Sequence, residues 1–124
     1  MNKRKILFID DDEAVLRMIK LVLERTGEYE VATQSKSQLA MLKVRQFNPE
    51  MIFIDINMPE KEGSALAAEI KDDRQFSTVP IIFLTGAVTN EEVERSHGMI
   101  GGQQFIAKPI NMEKMLDCIK QNLS

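Results

Sequence analysis

The chain has 124 residues, 44% hydrophobic and 28% charged, the proportions of one soluble globular domain able to bury a core. Its net charge of −3 gives no general attraction for nucleic acid or anionic membrane. No stretch nears the roughly 20 apolar residues of a membrane span. The apolar run after Lys3-Arg4-Lys5 is too short for a signal peptide. A single cysteine, Cys118, excludes an internal disulfide and suits a reducing compartment, so a cytoplasmic location is expected.

Short apolar runs alternate with amphipathic segments. The first strand is predicted over 5–9 and runs into Asp10-Asp11-Asp12. A helix follows, with Asp12 as N-cap, Val15, Ile19, Val22 and Leu23 at helical spacing, and Gly27 at its stop. A second strand is expected over 29–33, then a helix marked by Leu39 and Leu42 that ends before Asn48-Pro49. The third strand, 51–54, delivers Asp55 to its end. A turn with Met58, Pro59 and Gly63 leads to a helix marked by Leu66, Ala67 and Ile70.

The fourth strand, 80–84, ends in Thr85-Gly86-Ala87. The segment 90–97, NEEVERSH, offers Val93 as its one large apolar anchor, so a helix there is expected to be the least firmly docked. Its His97 reads as a surface residue. A fifth strand over 104–107 ends in Lys108-Pro109. The last helix shows Met112, Met115, Leu116, Ile119 and Leu123 on one face, with Asn111 as cap and Cys118 in its packing.

The runs ILFI, MIFI and IIFL lack polar alternation, as strands covered on both faces do. Five βα units in strict alternation imply an α/β, doubly wound parallel sheet with right-handed crossovers. Sites in such sheets form beyond the carboxyl ends of the strands, where strand order reverses. If strands one and three are neighbours, as in flavodoxin-like order, Asp10, Asp11 and Asp55 share a pocket. Thr85 and Lys108 then reach its edge.

Three carboxylates in one pocket repel, so a pKa rises or a cation binds. An all-oxygen set with room for water suits Mg²⁺. Lys108 can supply positive charge for an added anion, the Thr85 hydroxyl a hydrogen bond, and Gly86 backbone room. Phosphoryl transfer needs such positioning and neutralisation, with Asp55 as the nucleophile.

With Asp10-Asp11, Asp55 within DINMPEKEG, Thr85 and Lys108-Pro109 in this order, the sequence resembles the receiver domain of two-component response regulators. The similarity covers essentially the whole chain, 1–124, as one domain. The resemblance implies a (βα)5 fold with strand order 2-1-3-4-5 and five flanking helices. It implies that Asp55 accepts a phosphoryl group from a phosphohistidine on a sensor histidine kinase or phosphotransfer protein. It also implies that Asp11, Asp55 and the backbone carbonyl of Asn57 ligate Mg²⁺, with Asp10 acting through water, and that the peptide before Pro109 is cis. Phe105 takes the family's aromatic switch position, with Thr85 as its trigger. The face made by the fourth helix, fifth strand and fifth helix would change shape, meeting a downstream target or a second copy.

Such a domain gains and loses its own phosphoryl group and is not a turnover enzyme. Gly86 stands where alanine is frequent, and Glu62 where Asp is usual before Gly63. Asn57 and Ala87 occupy the positions that influence dephosphorylation.

A phosphatase of haloacid-dehalogenase type is the main rival, but it needs a second carboxylate two residues after its nucleophile, where Asn57 stands. A flavin mononucleotide carrier needs a phosphate cradle where this chain reads DDDE, which would repel one. An unphosphorylated protein-binding scaffold leaves the intact acceptor set unexplained. The length is spent on one domain, with no room for a DNA-binding or catalytic output module. A stand-alone regulator and a receiver cut from a longer protein both fit.

Overall fold

The computed structural model describes residues 2–86, the backbone of 99–100, and residues 103–123. The expected helix over 90–97, with His97 and Ala87, lies outside them. The strands are β1 (Arg4–Ile9), β2 (Tyr29–Gln34), β3 (Met51–Asp55), β4 (Ile81–Thr85), β5 (Met99–Ile100) and β6 (Gln103–Ala107). The helices are α1 (Glu13–Arg25), α2 (Ala40–Phe47), α3 (Gly63–Asp72) and α4 (Met112–Leu123).

The sheet order is β2-β1-β3-β4-β6-β5. Its first five members are parallel, in the flavodoxin-like order expected. The sixth, β5, is a two-residue antiparallel edge strand that sequence reading did not anticipate. It is too short to show a period.

Side chains alternate across the parallel strands. Ile6, Phe8, Met51, Phe53, Ile82 and Leu84 pack toward α1 and α4. Leu7, Ile9, Ile52, Ile54, Ile81 and Phe83 pack toward α2 and α3. Phe8 and Phe53 stack in parallel with ring centroids 4.6 Å apart. With both faces dry, the strand ends are where polar groups can gather.

The helix ends follow local chemistry. Asp12 caps α1 by accepting from the amides of Ala14 and Val15 at 3.1 and 3.2 Å. Gly27 closes it at φ +77°. Asn111 caps α4 through the Lys114 amide at 3.1 Å. In α4, Met115 and Ile119 are buried, and Met112, Leu116, Cys118 and Leu123 pack against them.

The α2 face differs from expectation. Leu39 and Leu42 are 42% and 53% exposed, while Ala40, Met41 and Val44 are buried. A 3-10 turn over Ser37–Leu39 precedes the helix, and Ala40, Met41 and Val44 are the residues that join the core. Asn48 ends α2 in the left-handed region, at φ 55°.

After β3 the chain turns tightly. Met58 is buried in the core below, and the Gly63 amide bonds the Ile56 carbonyl at 3.0 Å. A Cβ on Gly63 would lie 2.4 Å from the Asp55 carbonyl oxygen. Gly63→Ala is therefore expected to destabilise the protein by about 1–3 kcal/mol, read from the midpoint of denaturant unfolding. Gly86→Ala, whose Cβ meets nothing within 4 Å, should leave that midpoint nearly unchanged.

Candidate functional site

Strand register assembles the site. Ile9 pairs with Ile54, so the next residues, Asp10 and Asp55, leave neighbouring strands side by side. Asp55 pairs with Leu84, Thr85 follows, and Thr85 pairs with Ala107, which precedes Lys108. The Lys108 amide donates to the Thr85 carbonyl at 2.8 Å. The Lys108–Pro109 peptide is cis, as the resemblance implied.

The three consecutive acids divide their work. Asp12 caps α1, as shown above. Asp10 is fully buried, its Oδ1 accepting the Asp12 amide at 3.0 Å and its Oδ2 lying 2.7 Å from Lys108 Nζ. Asp11 is exposed at the mouth. Carboxylate oxygens of Asp10, Asp11 and Asp55 lie within 4.8 Å of one another, the one such cluster among the described residues.

Asp55 is 5% exposed. Its Oδ1 accepts the Asn57 amide at 3.2 Å, and its Oδ2 stands 3.5 Å from Lys108 Nζ. The ammonium thus sits closer to Asp10 than to Asp55, a division that sequence reading missed because the lysine was treated as serving an added anion alone. Its side chain is 26% exposed, so it closes one wall while remaining open to the cleft. Thr85 is buried at the same rim. Phe105 lies farther down β6, half-buried, with its ring centroid 5.5 Å from that of Phe83.

Charge in this space is out of balance. Burial first, and then the Asp10 charge, raise the Asp55 pKa from 3.8 to about 6. The Asn57 amide and Lys108 pull it back, while the Asp11 carboxyl adds to the rise. The Lys108 pKa is also raised: burial is the largest influence and acts downward, but the combined hydrogen bonds and charges of Asp10 and Asp55 outweigh it.

The donor set fits a hard divalent cation. Three carboxylates face one ammonium, every donor is oxygen, and the exposed Asp11 leaves the cluster open to solvent water. The Asn57 amide bond holds that residue against Asp55, where its own carbonyl could join the set.

A family model described as the response regulator receiver domain matches residues 6–120. The nisin biosynthesis regulatory protein NisR of Lactococcus lactis is 35% identical over 96% of this chain, which spans 50% of NisR's length. Protein PilG of Pseudomonas aeruginosa is 29% identical, with 96% of this chain and 87% of PilG covered. Among solved structures, chemotaxis protein CheY4 of Vibrio cholerae superposes with a TM-score of 0.82 at 26% identity, over 98% of this chain and all (100%) of that one.

Ionising Asp55 costs stability, because its folded pKa lies above the unfolded value. The cost is absent below about pH 4, grows up to about 6, and is complete above that. Without divalent cations, Asp55→Asn should therefore raise Tm at pH 7 by on the order of 5 °C. The advantage should shrink as pH falls through 6 toward 4, as measured by thermal melts across pH.

Proposed function

The chain belongs to the response regulator receiver family of two-component signalling, and from that membership we propose that Asp55 is the phosphoacceptor of a phosphorelay. The observation that carries this reading is the convergence of Asp10, Asp11, Asp55 and Lys108 at the ends of three strands.

An Asp55 carboxylate oxygen attacks the phosphorus of a phosphohistidine on a histidine kinase or phosphotransfer protein. The phosphorus–nitrogen bond breaks, and the imidazole leaves with the electron pair. The product is an acyl phosphate on Asp55. The Lys108 ammonium, already 3.5 Å from Asp55, neutralises one oxygen of the arriving group. The Thr85 hydroxyl donates to another. The Asn57 amide orients the carboxylate and leaves its second oxygen for attack.

Asp11, Asp55 and the Asn57 carbonyl would hold Mg²⁺ directly, with Asp10 acting through water. When bound, the ion neutralises phosphoryl charge as it develops. The domain gains and loses its own phosphoryl group, so it acts as a cytoplasmic signalling switch rather than a turnover enzyme. No helix of the described residues is long and apolar enough to cross a membrane.

The signal leaves through Thr85. Drawing its hydroxyl toward the phosphoryl group moves the end of β4 and frees space for Phe105 to turn further in. This reshapes the face of β6 and α4 that meets a downstream protein or a second copy. Phe105 carries no hydroxyl, so packing alone reports its turn.

Intact-mass spectrometry with a small-molecule phosphodonor should show one phosphoryl adduct that requires Mg²⁺. Asp55→Asn should abolish it, and Lys108→Ala should slow its formation by about tenfold to a hundredfold. Unchanged labelling of Asp55→Asn would refute the assignment. Thr85→Ala should still label, yet lose the change in backbone relaxation over 103–110 that a stable phosphoryl mimic induces in the parent chain.

A further inference from the structure

Among the described residues, β2 ends the sheet and has only β1 as a strand neighbour. The Arg4 amide donates to the Glu28 carbonyl at 3.1 Å, and the Asp10 amide to the Gln34 carbonyl at 3.2 Å. In a parallel ladder the residues that bond a given neighbour alternate, so the even-numbered positions of this segment face β1. Tyr29, Val31 and Thr33 therefore turn their amides and carbonyls to the open side, with Val31 at the centre. An open edge of this kind is a template for adding another strand.

Both groups of Val31 are taken by side chains from α1. Lys20 Nζ donates to the Val31 carbonyl at 2.6 Å, and the Val31 amide donates to Glu24 Oε2 at 3.2 Å. Lys20 and Glu24 also pair with each other at 3.4 Å, one helical turn apart. The three residues close a ring over the middle of the edge.

We propose that Lys20 and Glu24 form a gate that keeps β2 from pairing with β2 of a second copy of this chain. That partner follows from the strand's own symmetry. A twofold axis through Val31 would pair Val31 with Val31, Tyr29 with Thr33, and Glu30 with Ala32. Both central backbone groups would be used, and no like charges would stand opposite each other. These central groups are the ones the gate occupies. Leu21, 54% exposed beside Lys20, adds apolar surface that a second copy would cover. This edge lies opposite the β6–β5 side, so the device is independent of the switching face.

Sedimentation of the full chain with Lys20→Ala and Glu24→Ala should show a dimer association constant about tenfold or more above that of the parent. Adding Thr33→Pro, which removes an outward amide from the same edge, should return association to the parent level. Association no stronger than the parent's, or an increase that Thr33→Pro leaves in place, would overturn the proposal. Should the double variant fail to fold, amide exchange in the parent decides. Val31 should exchange about tenfold or more slowly than Tyr29 and Thr33, and an equal or faster rate for Val31 would overturn the gate.

Discussion

Two acidic side chains, Asp10 and Asp55, are buried side by side with one ammonium between them, and much of the structure serves to hold them there. Burial strengthens their mutual repulsion as well as their attraction to Lys108. The lysine cannot satisfy both equally: it approaches Asp10 at 2.7 Å and Asp55 at 3.5 Å. Asp55 is left as the undercompensated partner, with a pKa lifted to about 6. An incoming cation or polyanion with its counterion finds an environment already organised around that deficit.

The scaffold makes the arrangement rigid where rigidity is useful. Asp10 is tied to the start of α1 through the Asp12 amide, and Asp55 to its own turn through the Asn57 amide. Met58 anchors that turn in the core, and Gly63 lets α3 begin directly against the Asp55 carbonyl. Around β6 the joints are different. Phe105 is only half-buried, and the reciprocal amide pair of Gln104 and Asn122, at 3.0 and 3.1 Å, ties β6 to α4. Gln104 and Asn122 thus join β6 to α4, whose Met115 and Ile119 reach the core over β1 and β3. The opposite edge is covered at its middle by α1, through the Lys20–Glu24 pair along its flank.

Much of this was legible in the chain itself. ILFI, MIFI and IIFL announce strands covered on both faces, because no polar residue interrupts them. Asp12, Gly27, the Asn48-Pro49 pair and Asn111 mark helix ends through hydrogen-bonding or conformational preferences that depend on neighbours a few residues away. The acids, threonine and lysine at the strand ends could be recognised as one set once the sheet was taken as parallel. What stayed hidden depended on contacts between distant segments. The inward face of α2 depends on packing against the sheet, so Leu39 and Leu42 misled where Ala40, Met41 and Val44 pack. Which carboxylate claims Lys108, how little space Asp55 leaves above Gly63, and which side chains cover Val31 are matters of distance across strands. Local pattern determines which elements form and what chemistry they carry to their ends, because propensity and periodicity act over a few residues. Only the tertiary structure decides how those ends share charge and space, because burial and Coulomb energy depend on separations that sequence order does not encode.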